Sequence, residues 1–266
     1  MIIDGQTLAR EMLARTKVRA QMLARPPLVV ALTASDTPAT RSYLAVKTKR
    51  AADAGCIFET RALGASFSDA DSVIVQLPVP AGVNQKEVCD SIPIEKDADV
   101  LSTAARKKFE KRETDALLPP VAAAIHEIFM HNEINPKDKK TVVIGDGWLV
   151  GKPAATWLRN QGAKVLVLTS ESGGLAAALR VADIVVSGAG SPHFIKPEML
   201  RQGVVLIDAG TSESNGTIAG DADPACVEKC SLFTPVPGGV GPLAVACLFS
   251  NAVTLAEREN SSILSQ

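Results

Sequence analysis

The chain has 266 residues, a length that suits one large domain or two of ordinary size. Hydrophobic residues make up 46% of it, which is enough to build buried cores and excludes a wholly disordered chain. Its 28 basic and 29 acidic residues leave a formal charge of −1, so the charge balance favours neither nucleic acid nor an anionic membrane as a partner.

The lengths of the apolar runs and the number of cysteines indicate the cellular compartment of the protein. The runs 204–207 and 243–249 are shorter than the roughly 20 apolar residues that span a bilayer, and no signal peptide is visible at the N-terminus. The cysteines are five, an odd number, and only Cys226 and Cys230 are close together, which favours reduced thiols. The three histidines are scattered, so we expect no metal site. These features predict a cytoplasmic protein.

The first half of the chain predicts an α/β sandwich. The predicted elements are a helix over 6–24, a strand over 28–32, a helix from Thr37-Pro38 to Gly55, and strands over 57–61 and 73–77. Pro38 stands early in its helix, where a missing N–H is harmless, and Gly55 is a natural C-terminal stop. This order favours a mainly parallel sheet.

The second half repeats a strand–helix rhythm. Residues 95–115 are dense in charge and predict an irregular connection that ends in an exposed helix, and Pro119-Pro120 opens a helix over 121–132. Strands are predicted over 141–144, 164–168, 184–186 and 204–207, and helices over 152–161, 174–181, 198–201 and 242–258. The alternation is typical of a doubly wound nucleotide-binding domain.

A glycine-rich segment follows the first strand of that domain. Glycines between a strand and a helix let the backbone approach a pyrophosphate, and the helix N-terminus supplies N–H donors. The spacing G-x-G-x-x-x-G is one residue longer than the standard fingerprint, and a plain structural turn is the alternative. Its place in the strand–helix rhythm makes Gly145, Asp146, Gly147 and Gly151 the candidate cofactor-binding residues.

Acidic residues bear on the choice of cofactor. Ser170 and Glu171 follow the next strand, and Glu171 lies 20 residues beyond Gly151, where an acid usually meets the adenosine ribose 2′-hydroxyl. Glu171 and Asp146 would both repel a 2′-phosphate, which favours NAD over NADP. The alternative interpretation makes Glu171 a solvated loop residue.

Three further segments indicate a reacting centre. Tyr43 and Lys47 are four residues apart, which places them on one helix face, and a desolvated lysine there would be basic. Gln76 ends an apolar strand, at the edge where open α/β sheets bind ligands. The segment Thr234-Pro235-Val236-Pro237-Gly238-Gly239-Val240-Gly241-Pro242 combines rigid prolines with glycines that allow close backbone approach.

Together these segments resemble the bifunctional methylenetetrahydrofolate dehydrogenase/cyclohydrolase family, in the same order and over nearly the whole chain. The matching segments are Pro38-Ala39-Thr40-Arg41-Ser42-Tyr43 with Lys47, Val75-Gln76-Leu77-Pro78-Val79-Pro80, Lys96-Asp97-Ala98-Asp99, Val150-Gly151-Lys152-Pro153 and Thr234–Pro242. The segment 235–242 is highly specific for that family.

The resemblance implies two α/β domains around a cleft, the second a Rossmann-like doubly wound parallel sheet, in a homodimer. We expect a folate-binding domain over 1–118, completed by a C-terminal helix over 242–266, and a nicotinamide-dinucleotide-binding domain over 119–241. The family oxidises 5,10-methylenetetrahydrofolate to the methenyl form with NAD or NADP, and then hydrolyses it to 10-formyltetrahydrofolate.

The resemblance also assigns roles to individual residues. Lys47 is the acid/base group of the hydrolytic step, and Gln76 tunes it. Tyr43 stacks on the substrate's aminobenzoate ring, and Asp99 accepts hydrogen bonds from the pterin. The loop residues Pro237, Gly238 and Gly239 contact the substrate, and Gly239 also contacts the cofactor.

The chain departs from the family pattern mainly on the cofactor side. Val100 stands where the family usually has Gly, and Asp146-Gly147 where it has Arg-Ser. Residues 117–122 replace a Pro-Cys-Thr-Pro-x-Gly motif, Leu243-Ala244 replaces Met-Thr, and the stretch between Lys47 and Gln76 is shorter by about a helix.

Three alternatives stay open at this point. The first is a mainly cyclohydrolase variant with weakened dehydrogenase activity, and the second is a non-catalytic folate- or nucleotide-binding relative. The third is an unrelated nicotinamide dehydrogenase of the shikimate type, which would leave Thr234–Pro242 unexplained.

Overall fold

The computed structural model describes residues 1–34, 36–214 and 217–264. The chain forms two compact units. The first unit contains Ala9–Pro120 and Val245–Gln266, and the second unit contains Met1–Leu8 and Val121–Ala244. The α/β class predicted from the sequence is confirmed, because both units are built on parallel sheets.

The first unit is built on a three-stranded parallel sheet. Its elements in chain order are α1 (Gly5–Gln21), β1 (Leu28–Thr33), α2 (Pro38–Asp53), β2 (Ile57–Ala62) and β3 (Ser72–Val75). The sheet order is β2-β1-β3, so β1 is central, and its residues Val29, Val30 and Ala31 are fully buried. Gln76 follows β3 directly, which places it at the carboxyl edge of this sheet.

The start of α2 is fixed by local chemistry. The Thr37 side chain accepts a hydrogen bond from the Thr40 backbone N–H, and Pro38 occupies the first helical position. A threonine cap typically contributes about 1 kcal/mol of helix stability. The predicted stop at Gly55 is also found, because this glycine has a φ of +77° just beyond the helix.

The rest of the first unit corrects one prediction. Residues 95–115 are not a simple connection with an exposed helix, since α4 (Thr103–Glu110) buries Ala105 and Phe109. It follows a 3₁₀ turn over Ile94–Lys96, and another helix that the sequence reading missed, α3 (Gln85–Asp90), precedes that turn. Ala104, Lys107 and Glu110 of the same helix are exposed, so α4 has one solvent-facing side and one buried side.

The second unit contains the nucleotide-binding topology. After α5 (Pro120–His131) come β4 (Lys140–Ile144), α6 (Gly151–Asn160), β5 (Lys164–Leu168), α7 (Leu175–Leu179), β6 (Ile184–Ser187) and β7 (Val204–Asp208). The antiparallel strands β8 (Ser212–Ser214) and β9 (Thr217–Ala219) and the strand β10 (Cys230–Thr234) follow. The last helix, α8 (Val240–Leu264), belongs to the first unit from Val245 onward.

The strand order of the large sheet locates a ligand crevice. The five parallel strands run in the order β10-β7-β6-β4-β5, so the chain winds outward in both directions from β4. In such a sheet the loops after the two strands at the reversal point separate and leave a crevice at the carboxyl edge. Here those strands are β4 and β6, which end at Ile144 and Ser187.

Three details of the second unit differ from the predictions. The helix predicted over 198–201 is a 3₁₀ turn, Pro197–Met199, and the last helix begins at Val240 rather than Pro242. The sequence reading missed β10, which forms one edge of the five-stranded sheet. Residues 1–3 extend this edge, because the Ile3 N–H donates to the Phe233 carbonyl at 2.9 Å.

The expectation that no segment could cross a membrane needs correction. The stretch Val240–Ser261 within α8 is long and apolar enough by length and composition. However, 61% of its most apolar 18-residue window is buried inside the protein, as in the core helix of a globular fold. The apolar character of α8 is therefore explained by packing.

Candidate active site

Lys47 and Gln76 meet at the carboxyl edge of the first unit's sheet. The Lys47 amine donates a hydrogen bond to Gln76 Oε1 at 2.9 Å. The Gln76 amide nitrogen donates to the Leu77 carbonyl at 2.9 Å, which leaves the amide oxygen facing the lysine. Gln76 is only 8% exposed, so its orientation is fixed by these two contacts.

Burial favours the neutral, basic form of the Lys47 amine. Desolvation lowers the pKa of Lys47 below its ordinary value of 10.5, and the negative charge of Asp99 acts in the opposite direction. The desolvation effect is the larger, so the neutral amine is favoured more than in a solvated lysine. A neutral amine can take a proton from a bound water molecule.

Asp99 completes a cluster of polar groups beside Lys47. Burial raises the pKa of the Asp99 carboxyl to about 6, Lys47 lowers it, and the nearby Asp97 raises it. The carboxyl group is thus largely ionised at neutral pH and becomes protonated as the pH falls through about 6. The structure therefore brings together three of the four predicted folate-side residues, Lys47, Gln76 and Asp99.

Tyr43 is positioned differently. It lies one turn before Lys47 on α2 and is 50% exposed, an unusual exposure for a large aromatic side chain. An exposed ring beside a buried base is available to stack on a ligand. No contact joins Tyr43 to Gln76 or Asp99 in the hydrogen bonds described, so its stacking role stays a prediction.

A buried acid that the sequence reading did not assign holds the Asp99 loop. Asp97 is 3% exposed and accepts hydrogen bonds from the backbone N–H groups of Leu101 at 3.1 Å and Ser102 at 2.7 Å. From α8, the Asn251 amide donates to the Ala98 carbonyl at 2.9 Å. These contacts fix the backbone on both sides of Asp99. In the sequence, the only sign of these contacts is that Asp97 and Asn251 stand among apolar residues.

The glycines after β4 form a cradle without side chains. A methyl group added at Gly145, which has a φ of +91°, would lie 2.9 Å from the Gly188 carbonyl oxygen. One added at Gly151 would lie 2.0 Å from the Gly145 carbonyl oxygen. The first turn of α6 therefore packs directly against the strand end, as a pyrophosphate-binding turn requires. Val150 at the N-cap offers no side-chain acceptor to that turn.

A cavity of about 510 Å³ opens at the reversal point between β4 and β6. Of the predicted cofactor residues, four line it: Gly145, Asp146, Gly147 and Ser170. Glu171 is exposed and is not among the lining residues, and Gly151 lies behind the turn. Residues that the sequence reading missed also line the cavity: Thr169, Ser172, Gly188, Ala189 and Ser191. The cavity's glycines and small polar groups fit a nucleotide.

The proline- and glycine-rich segment after β10 is tightly packed at its centre. A methyl group added at Gly239 would lie 2.6 Å from the Pro235 carbonyl oxygen, and one added at Gly5 would lie 1.8 Å from the Gly239 carbonyl oxygen. Thr234, which precedes the segment, accepts a hydrogen bond from the Asp208 N–H at 2.7 Å. Gly239 is therefore required for packing here, and the predicted ligand contacts of Pro237, Gly238 and Gly239 stay predictions.

Comparison with known proteins decides the family. Residues 119–260 match the family described as tetrahydrofolate dehydrogenase/cyclohydrolase, NAD(P)-binding domain. The bifunctional protein FolD of Thermotoga maritima is 35% identical over 273 residues, covering 97% of this chain and 99% of that protein. This chain belongs to the tetrahydrofolate dehydrogenase/cyclohydrolase family. The resemblance inferred from the sequence is confirmed, and the shikimate-type alternative is removed.

Solved structures of the family share the whole fold. The bifunctional FolD enzyme of Campylobacter jejuni superposes with a TM-score of 0.92 at 26% identity, covering 97% of this chain and 99% of that one. The FolD enzyme of Trypanosoma brucei, solved with NADP and an inhibitor, gives a TM-score of 0.90 at 27% identity, with 98% of both chains covered. The second unit is thus the Rossmann-like domain of a FolD-type protein.

Val100 is a departure from the family with a structural cost. It has a φ of +56° and is fully buried directly after Asp99. For a residue with a Cβ, this left-handed conformation costs roughly 1–2 kcal/mol, and glycine avoids the cost. The left-handed backbone conformation at this position explains why the family usually has glycine there. In this chain Val100 adopts the same conformation and is strained, directly beside Asp99.

The strain at Val100 can be measured by comparing the stability of two variants, Val100→Gly and Val100→Ala. Val73, buried in β3 with ordinary strand geometry, is the matched control. The control pair is Val73→Gly and Val73→Ala. At each position the two variants differ by one methyl group, so the comparison isolates the effect of the backbone conformation. The difference in unfolding free energy between them should favour glycine by roughly 1–2 kcal/mol more at Val100 than at Val73, measured by urea denaturation. Equal differences at the two positions would show that Val100 is unstrained.

Proposed function

We propose that this chain is a bifunctional enzyme of one-carbon metabolism. It oxidises 5,10-methylenetetrahydrofolate to 5,10-methenyltetrahydrofolate with NAD or NADP, and it hydrolyses the methenyl form to 10-formyltetrahydrofolate. Family membership over the whole chain supports both reactions. The observation that carries the proposal is the desolvated Lys47 amine on Gln76, 2.9 Å away, beside a carboxyl group whose pKa burial raises to about 6.

The hydrolytic step uses the neutral amine of Lys47. The methenyl substrate is a cation, so a protonated lysine next to it would be repelled, whereas a neutral amine is not. Lys47 takes a proton from water as the water oxygen bonds to the methenyl carbon. The protonated Lys47 then gives that proton to N5 as the bond between the carbon and N5 breaks. The remaining hydroxyl proton leaves to solvent as the formyl C=O forms, so one proton is released overall. Gln76 holds the amine by accepting one of its N–H groups, which leaves the nitrogen lone pair for the proton.

Binding of the folate is assigned to Asp99 and Tyr43. The ionised Asp99 carboxylate accepts hydrogen bonds from pterin N–H groups, and these charge-assisted bonds are stronger than neutral ones. Tyr43, half-exposed on α2, stacks on the aminobenzoate ring. The first unit contains both residues together with Lys47 and Gln76, and we assign it as the folate-binding domain.

Oxidation requires a nicotinamide dinucleotide, which accepts the hydride from the methylene carbon. The close backbone packing at Gly145 and Gly151 and the lack of a side-chain cap at the start of α6 support a pyrophosphate at the cavity of the second unit. Gly147 and Ser170 line that cavity and contact the dinucleotide in this assignment. Gly151 keeps the helix close to the strand end.

Assembly and location are further parts of the proposal. We assign a cytoplasmic homodimer that binds neither nucleic acid nor membrane. The balanced charge and the five free cysteines, none of them in a disulfide, support a reducing compartment. Size-exclusion chromatography with light scattering tests the dimer.

Replacement of Lys47 by Ala should abolish most of the cyclohydrolase activity while folate binding stays measurable. Loss of a general base typically lowers a rate by ~10²–10⁴-fold. The decay of methenyltetrahydrofolate absorbance measures the rate, and Lys49→Ala, an exposed lysine on the same helix, is the matched control. Near-normal hydrolysis by the Lys47 variant would refute the assignment.

Turnover with the two dinucleotides should favour NAD. Asp146 follows the cradle glycine directly and is exposed at the cavity, so its charge would oppose a 2′-phosphate. Asp146→Asn should shift the ratio of kcat/KM values towards NADP by roughly tenfold. The same substitution at the exposed Glu171, Glu171→Gln, shows whether the second acid contributes. A strong NADP preference in the unmodified protein would contradict the proposal.

The same assay separates the remaining alternatives. Methenyl formation and methenyl decay are followed independently, with each dinucleotide in turn. Decay without formation would identify a mainly cyclohydrolase variant, which the departures at Asp146-Gly147 and residues 117–122 allow. Neither formation nor decay would identify a non-catalytic relative.

A further inference from the structure

Two buried acids of the second unit have no role in the reactions described above. Asp208 ends β7 and is 1% exposed, and Asp221 follows β9 and is fully buried. Burying two carboxyl groups without cationic partners is costly unless each is supplied with hydrogen bonds. Each of them accepts three hydrogen bonds, and the donors come from the end of β6 and from loops at the same edge of the five-stranded sheet.

Asp221 holds the segment that follows β6. Its carboxylate accepts hydrogen bonds from the Ser187 hydroxyl at 2.6 Å, the Ala189 N–H at 2.7 Å and the Ser191 N–H at 2.8 Å. Gly188, Ala189 and Ser191 form one wall of the cavity that also contains the Gly145 turn. A single buried side chain thus fixes the backbone of this cavity wall from behind.

Asp208 holds the segment that contains Asp221. It accepts hydrogen bonds from the backbone N–H groups of Asp221 at 3.2 Å, Ala222 at 2.8 Å and Gly210 at 3.0 Å. The fit is close, because a methyl group added at Gly210 would lie 2.1 Å from the Asp221 carboxyl carbon. One added at Gly220 would lie 2.3 Å from Asp208 Oδ2. The Asp221 carboxylate is therefore closely packed and held in place by its surroundings.

Because Asp221 accepts their hydrogen bonds, the backbone N–H groups of the cavity wall cannot also bind a ligand. The N–H groups of Ala189 and Ser191 point to the carboxylate, so they are not available to a ligand in the cavity. The role of this segment is accordingly one of shape: it keeps the crevice open opposite the Gly145 turn. A preformed wall lowers the entropy that binding must otherwise overcome.

We propose that Asp221 is a positioning residue for dinucleotide binding, which acts by holding residues 188–191 as the cavity wall opposite the glycine turn. The inference rests on the proposed function, because it takes this cavity as the dinucleotide site. Asp208 supports the same wall indirectly, by fixing the backbone of Asp221.

Asp221→Asn tests the proposal with little change in volume. The amide keeps one acceptor oxygen, and its NH₂ group faces donors, so at least one of the Ala189 and Ser191 N–H groups loses its acceptor. The KM for NAD or NADP, and the Kd for NADH and NADPH from fluorescence titration, should rise by roughly tenfold or more. The cyclohydrolase kcat and its folate KM should not change, since that half-reaction uses no dinucleotide.

Asp183→Asn is the control at a second, partly exposed acid that also accepts hydrogen bonds from two donors. Asp183 precedes β6, at the opposite end of the same strand, and accepts a hydrogen bond from the Lys140 N–H at 2.8 Å and another from Arg201. Its replacement should lower the melting temperature without changing the dinucleotide Kd. A purely structural role for Asp221 would make the two variants behave alike.

Ser187→Ala removes one donor to Asp221 and keeps the carboxylate, so it decides the matter if Asp221→Asn does not fold. It should raise the dinucleotide Kd by a smaller factor. Unchanged Kd values in the folded variants would overturn the inference alone, with the proposed function intact. Failure of the unmodified protein to bind either NADH or NADPH would overturn the redox half of the proposed function and this inference with it.

Discussion

The chemistry assigned to this protein depends on one hydrogen bond, from the Lys47 amine to Gln76 Oε1 at 2.9 Å. Burying a protonated lysine is costly, whereas burying a neutral amine is much less so, and desolvation alone therefore favours the basic form. Gln76 contributes because its own amide nitrogen is held by the Leu77 carbonyl, which leaves only its oxygen for the lysine. Asp99 limits the shift by its negative charge and supplies the acceptor for a pterin.

The two units use the same arrangement to shape their sites. In each, one functional segment directly follows the carboxyl end of a parallel strand, Gln76 after β3 and the Gly145 turn after β4, and a buried acid holds the backbone of a neighbouring loop. Asp97 accepts the N–H groups of Leu101 and Ser102 beside Asp99, and Asp221 accepts those of Ala189 and Ser191 beside the glycine turn. In both places the carboxylate satisfies N–H groups that the loop would otherwise leave unpaired at a buried edge.

Much of the fold and part of the site could be predicted from patterns between residues that are close in the sequence. Hydrophobic runs predicted all three strands of the first sheet and four of the five strands of the second. Thr37-Pro38 located the start of α2, and the helical spacing placed Tyr43 and Lys47 on one face. Residues whose position depends on distant contacts were missed. β10 is recognisable only through its pairing with β7, and Asp221 is indistinguishable in sequence from a surface acid until the loop after β6 folds over it. The exposure of Glu171 likewise depends on how the loop after β5 turns.

The most direct test of the account is an NMR titration of the Lys47 side-chain amine in the unliganded protein. The resonance is assigned by its loss in Lys47→Arg. The account predicts a midpoint below the ordinary lysine value of 10.5, because burial disfavours the charged amine more than Asp99 stabilises it. A midpoint at or above 10.5 would contradict it, since Lys47 would then be protonated at neutral pH like any solvated lysine and could not serve as the base.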